Sequence, residues 1–348
     1  MVHLVDTNPG RELIIQNQKY LYFGGTAYLG LQTDVEFQTI YINNVKKYGT
    51  NYGASRKSNI QFSVYEEAEL KLTELVGCEA STTLSSGFLA GQFVSSFFNT
   101  EEYKLFYAPN SHPALYQNNS KPVETYTALQ TLIQEHLTSK SSSIPVLFLD
   151  SIDFSGCNYP EYLRLQSLPL DKLILVIDDS HGIGITGEKG GGSYRKVSTL
   201  QPKELIICGS LGKGYGILAG AVFGTKNRIA QLTGTAFFGG ASPATPASMA
   251  TFLDSLEIYS TKRDVLKERI VYFKKHVTNI ENFSYMKNHA AFSFSNNSLT
   301  NYLENNYIII TNFNYPFKDS PLMSRIVLSA HHTEKDMDKL IKLTNAFH

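Results

Sequence analysis

An α/β fold is what this sequence predicts: a large domain with a mostly parallel sheet sandwiched by helices, followed by a smaller α+β C-terminal domain. Three observations carry the expectation. Short, fully apolar runs alternate with helical stretches between residues 80 and 210, and strands buried on both faces of a parallel sheet read in that way. Small, charged and glycine residues gather just after those runs, where open parallel sheets bind their ligands. Beyond residue 250 the order changes to long helix and then short strands. The 348 residues allow a large core and suggest about two domains.

The elements follow in order. Arg11 to Leu31 reads as short strands ending in a turn at Gly30. Val35 to Tyr48 is helix-like. Val64 to Val76 is a strong helix: Glu66, Glu67 and Glu69 lie near its start, and Val64, Ala68, Leu72 and Leu75 share a face. Gly77 ends it. Ser81 to Leu84 predicts a strand, with a helix from Gly87; Leu105 to Ala108 predicts the next strand, with a helix near Pro113. Thr127 to Leu137 is a helix, Val146 to Ser151 a buried strand, and Pro160 to Leu165 a short helix. Leu173 to Ile177 and Glu204 to Cys208 are apolar strands. Thr245 to His276 predicts one long helix or two. Ala291 to Phe294, Ile308 to Thr311 and Arg325 to Ser329 read as strands of the smaller domain. The last helix starts at Thr333, with Asp336 three residues on as an imperfect capping box.

Composition removes several function classes. Lysine plus arginine is 31 and aspartate plus glutamate is 31, so no basic footprint for nucleic acid or an anionic membrane exists. No apolar run approaches the ~20 residues that span a bilayer. Cys78, Cys157 and Cys208 are far apart and lack metal spacing, so no metal site is expected and a reducing, cytoplasmic setting is. The first residues carry charges and no long apolar stretch, so no signal peptide is expected. Partners are therefore expected to be small molecules or a second copy of the chain.

Two runs carry chemistry. Asp178-Asp179-Ser180-His181-Gly182 follows one apolar strand, and Ser210-Leu211-Gly212-Lys213-Gly214-Tyr215-Gly216 follows the next. Buried acids at a strand end are costly without partners. Glycines let backbone approach a ligand, and lysine is the side chain that forms Schiff bases with carbonyls. The spacing is not that of a Walker A loop. An acid after one strand and an amine after the next match the needs of pyridoxal 5'-phosphate (PLP): a carboxylate for the ring nitrogen and an amine for the aldehyde.

On these runs, together with Gly187-Glu188-x-Gly190, Tyr28-Leu29-Gly30-Leu31, Gly53-Ala54-Ser55-Arg56, Ser86-Gly87-Phe88, Ser111-His112 and Arg325 before Leu328-Ser329-Ala330, the chain resembles the α-oxoamine synthases. These are PLP enzymes of fold type I within the class I/II aminotransferase superfamily. The resemblance covers nearly the whole chain. It implies PLP as cofactor, with Lys213 as the Schiff-base lysine, Asp178 on the pyridine nitrogen, His181 on the phenolic oxygen and His112 stacked on the ring. It implies Ser86, Gly87 and Phe88 at the cofactor phosphate, joined by the Ser210 hydroxyl. Arg325 would bind the substrate carboxylate, and Thr26 stands where the family has a substrate-side asparagine. It implies an N-terminal segment at 1–40, a PLP-binding large domain at 41–250, a C-terminal small domain at 251–348, and a homodimer.

The match departs from the family at Thr26-Ala27 and at Asp150-Ser151, which stands where the family has Glu-Gly. It departs again at Phe238-Gly239-Gly240-Ala241-Ser242 and in a short N-terminus. The phosphate-side serine falls near Phe154-Ser155. The cofactor side is kept and the acyl-donor side is altered. The leading expectation is an acyltransferase that joins an amino acid to acyl-CoA or another acyl thioester, giving an α-amino ketone in the manner of 8-amino-7-oxononanoate synthase. Aminotransferase chemistry on an amino acid and a non-catalytic binding or regulatory protein of the same fold stay open beside it.

Overall fold

The computed structural model describes residues 2–117, 120–154, 158–315 and 318–347. Its strands in chain order are β1 (Glu12–Ile15), β2 (Gln18–Phe23), β3 (Ala80–Leu84), β4 (Tyr103–Tyr107), β5 (Ile144–Asp150) and β6 (Ile174–Asp178), then β7 (Glu204–Ser210), β8 (Gly220–Gly224), β9 (Ser284–Tyr285), β10 (Ala291–Phe294), β11 (Ile308–Asn314) and β12 (Leu322–Val327). They form two six-stranded sheets in two compact units. The α/β architecture expected from the sequence is present.

The larger unit spans 40–153 and 157–255. Its sheet has the order β3-β8-β7-β6-β5-β4. The four strands from β4 to β7 pair in parallel, and β8 runs antiparallel to both of its neighbours, β3 and β7. The apolar runs are the cause. Every residue of β6 is buried, and Ile174, Leu175, Val176 and Ile177 are at most 2% exposed. Each such side chain contributes roughly 1.5–3 kcal/mol of burial. Helices Val64–Val76 and Gly87–Phe97 form as expected, the first ended by Gly77 at φ 81°. The run near Pro113 is one 3-10 turn rather than a helix, and the helix expected from Pro160 begins only at Leu163.

The parallel direction sets the site. Strands β3, β5, β6 and β7 all deliver their last residues to one edge of the sheet, with Leu84 opposite Gly220, Asp150 opposite Asp178, and Ser210 also opposite Gly220. The strand β8 was not anticipated. Its sequence, Gly-Ala-Val-Phe-Gly, is short and glycine-bounded, so its apolar run is only three residues long.

The smaller unit contains 1–39 and 256–348 together with Phe154. Its sheet has the order β1-β2-β11-β12-β10-β9. The N-terminal hairpin therefore joins the C-terminal strands, with β2 parallel to β11 and Phe23 opposite Ile310. Arg325 lies inside β12, opposite Ser293 on β10 and Thr311 on β11, while Ser329 lies past the strand's end. The closing helix Glu334–Ala346 carries a complete capping box: Thr333 accepts from the Asp336 N–H, and Asp336 accepts from the Thr333 N–H.

Candidate active site

Lys213 and His181 meet at the end of the large sheet. The lysine Nζ lies 2.9 Å from His181 Nε2. The residues reach this contact from separate turns. His181 sits in the turn after β6, which Asp179 closes by accepting the backbone N–H groups of Gly182 and Ile183. Lys213 sits in the single helical turn after β7, where Ser210 Oγ accepts from the Gly212 N–H at 3.2 Å. The two turns are locked together. Ser180 Oγ accepts the Ser210 N–H at 2.8 Å, and a Cβ on Gly214 would strike the Ile183 carbonyl.

The acids and imidazoles around this contact sit in different environments. Asp178 is buried, and its Oδ1 accepts the Ser180 N–H at 2.8 Å. Asp150 lies opposite it on the neighbouring strand and accepts the His112 N–H at 3.2 Å. Burial, and then the Asp178 charge, pushes the Asp150 carboxyl well above the usual range. His112 Nδ1 accepts the Ala114 N–H at 3.1 Å, which places the ring proton on Nε2. Burial lowers its pKa, with Asp178 opposing and Lys213 reinforcing the shift. The imidazole is therefore neutral at pH 7, the form that lies flat against an apolar ring without a desolvated charge.

Ser86, Gly87 and Phe88 begin the helix that follows β3. Ser86 is the N-cap and accepts the Leu89 N–H through Oγ. Gly87 and Phe88 hold the first helical N–H groups, which have no acceptor within the helix. A Cβ at Gly87 would come within 2.5 Å of Ser210 Cβ and 2.6 Å of its backbone. Only glycine lets this helix start lie against the end of β7. The Phe88 side chain is exposed, so its contribution is its backbone.

Asp179 was anticipated only as a neighbour. It is 1% exposed, accepts the Ser151 hydroxyl and the Ser193 N–H, and has its pKa pushed up to about 6 by burial. Side chains at Gly182 or Gly192 would each collide with its carboxylate. Its partners lie well away in sequence, so the clue there was the glycine run at 190–192. Arg56, the last residue of the Gly53-Ala54-Ser55-Arg56 motif, has a structural role. Its guanidinium makes a two-point ion pair with Glu69 at 2.7 and 3.0 Å. Glu69 also accepts from the Thr83 N–H and hydroxyl, which ties that loop to β3.

Arg325 and Thr26 belong to the smaller unit. Thr26 is exposed in a turn held by Gly25 N–H to Thr311 Oγ1 at 3.0 Å and by Ser329 Oγ to the Ala27 carbonyl at 2.7 Å. Arg325 packs its guanidinium over the Phe154 ring. Ser155 and Cys157 lie outside the described residues. Among the described residues no group of His, Cys, Asp and Glu could hold a metal ion, and no helix is long and apolar enough to cross a membrane.

Such an edge offers an amine beside an imidazole, a buried carboxylate, a neutral imidazole and a helix start free to hold an anion. A family model described as aminotransferase class I and II matches residues 158–343, just over half of the chain. 8-Amino-7-oxononanoate synthase of Vibrio cholerae is 26% identical over 288 residues, 81% of this chain and 74% of that protein. Serine palmitoyltransferase of Sphingobacterium spiritivorum is 28% identical over 266 residues, 73% of this chain and 65% of that protein. Among solved structures, a variant serine palmitoyltransferase from S. paucimobilis with a bound PLP–myriocin adduct superposes with a TM-score of 0.82. It has 16% sequence identity and covers 99% of this chain and 91% of that one.

Proposed function

Because the chain belongs to the class I and II aminotransferase family, and its relatives include α-oxoamine synthases, we propose that it condenses an amino acid with an acyl thioester. It is a PLP-dependent transferase. The product would be an α-amino ketone, as for 8-amino-7-oxononanoate synthase, with acyl-CoA as the acyl donor. The observation that carries the reading is the Lys213–His181 contact at 2.9 Å, set among Asp178, His112 and the Gly87 helix start.

The residues fit the cofactor. The Gly87 cradle leaves no room for a Cβ, so backbone N–H groups of Gly87 and Phe88, with the Ser210 hydroxyl, can close on a phosphate. Asp178 would pair with the pyridine nitrogen and His181 with the phenolic oxygen, and His112 would cover one ring face. When bound, PLP supplies an aldehyde for the Lys213 amine and a ring that withdraws electron density from the substrate Cα.

The protein's own groups then have defined roles. Asp178 keeps a proton on the ring nitrogen. His112, neutral through burial, excludes water from one face. His181, 2.9 Å from the Lys213 amine, would orient it. The Lys213 amine would take a proton from the substrate Cα and later return one. Arg325 would hold the substrate carboxylate, where a planar fork fixes geometry as well as charge. Thr26 would line the substrate side. A homodimer is proposed as the working assembly.

A spectral titration of the PLP-loaded protein tests the reading. A panel of L-amino acids is added with and without acyl-CoA while the cofactor absorbance is followed. An amino acid is expected to perturb the band, with a further change that needs both substrates. A band bleached by the amino acid alone and restored by a 2-oxo acid would identify an aminotransferase instead.

A further inference from the structure

Among the described residues, Arg325 is a half-buried cation supported by rings rather than by acids. Its guanidinium carbon lies 3.5 Å from the centroid of Phe154. Its Nε is buried and has no hydrogen-bond partner among the described residues. The residues opposite it on β10 and β11 are Ser293 and Thr311, neither of which carries charge. Burial pulls its pKa down to about 10, with buried Tyr28 the one opposing influence. The rings brace one another: Tyr28 and Phe154 meet the His289 imidazole edge-on at 5.2 and 5.8 Å. His289 is fully buried, and its Nδ1 accepts the Ala291 N–H at 3.3 Å.

A buried arginine is normally held by a carboxylate, which occupies its N–H edge and cancels its charge. An aromatic face attracts the same cation through the ring quadrupole and touches only the flat side of the fork. The in-plane N–H groups stay directed outward, and the charge stays uncompensated. An aliphatic residue would desolvate the cation equally well and attract it far less.

We propose that Phe154 is a positioning residue for carboxylate recognition: its ring holds the Arg325 fork in plane and leaves the N–H edge for a ligand carboxylate. The proposal rests on the reading of Arg325 as the substrate-carboxylate anchor. It makes position 154 a determinant of selectivity between amino acids and their carboxylate-free amines.

The test uses the PLP-loaded protein and two matched probe pairs, L-alanine against ethylamine and L-serine against ethanolamine. Half-saturation is read from the cofactor absorbance in wild type, Phe154→Leu and Phe154→Tyr. Phe154→Leu is expected to weaken the amino acids by roughly three- to thirtyfold, the range of a partly desolvated cation–π contact, and to leave the amines unchanged. Phe154→Tyr is expected to restore wild-type values. Equal weakening of amino acids and amines, or none, would overturn the role of Phe154 while leaving that of Arg325. Wild type that fails to distinguish the members of either pair would overturn both. A reading independent of the substituted proteins is the Arg325 Nε–H resonance of wild type. The ring is expected to shift it upfield, and an added amino acid to shift it further. A resonance at the position of a solvated arginine and indifferent to both amino acids would also overturn the proposal.

Discussion

Asp178 and Asp179 are adjacent in sequence and sit in unlike surroundings. Asp178 accepts one backbone N–H and lies across the sheet from Asp150. Asp179 is wedged between Ser151, the Ser193 N–H and two glycines. Asp178→Asn is therefore expected to reduce turnover by at least about a hundredfold, the lower range for a lost proton-controlling group, with cofactor retention little changed. Absorbance after dialysis and steady-state rates check the two halves separately. Near-normal turnover would hand the role to Asp179. Arg325→Lys keeps the charge and loses the fork. A charge-assisted hydrogen bond of ~1.5–3 kcal/mol corresponds to roughly a ten- to hundredfold rise in amino-acid half-saturation. Lys213 and Asp178 could be picked out in the sequence because each follows an apolar strand closely. The wedge around Asp179 could not, since Ser193 and Gly192 reach it only through the fold.

At the scale of elements, glycine placement decides whether the helix Gly87–Phe97 can approach β7. A Cβ at position 87 would meet Ser210 backbone at 2.6 Å, and backbone of a sheet strand cannot swing aside as a flexible side-chain end can. Gly87→Ala is expected to destabilise the protein by roughly 1–3 kcal/mol, as overpacking does, and to speed cofactor loss on dialysis. Denaturant midpoints and retained absorbance measure both. Helices with strong periodicity and clear ends, Val35–Tyr48 and Val64–Val76, were legible to the residue. The strand β8 was missed because its apolar core of Ala221, Val222 and Phe223 is too short to show a period. The helix Asn297–Asn305 was also missed: three asparagines among its nine residues mask a buried stripe of Leu299, Thr300 and Leu303.

Across the whole molecule, the pairing of β2 with β11 joins residues nearly three hundred positions apart. No local pattern announces such a contact, so the N-terminal hairpin looked like a separate segment. The same unit encloses His331 and His332. Burial lowers their pKa values to about 3 and about 4. His332 accepts the Ser329 N–H through Nδ1 and sits 2.9 Å from the Tyr22 carbonyl through Nε2. Both are neutral in the folded state at neutral pH, so their contribution is complete above pH 6.5 and is lost as pH falls, toward 4 at His332 and toward 3 at His331. At pH 5 the loss at His332 is about 2 kcal/mol. Denaturant midpoints of wild type against His332→Gln, from pH 7.5 to 4.5, should therefore converge as the solution is acidified. Light scattering of the loaded protein is expected to give a dimer. The most direct test of the proposed condensation incubates the PLP-loaded chain with an amino acid and an acyl-CoA, then measures free CoA thiol and the mass of the product. The account predicts thiol release that needs the amino acid, an α-amino ketone as product, and loss of both in Lys213→Ala. Conversion of the amino acid to its 2-oxo acid without thiol release would contradict it.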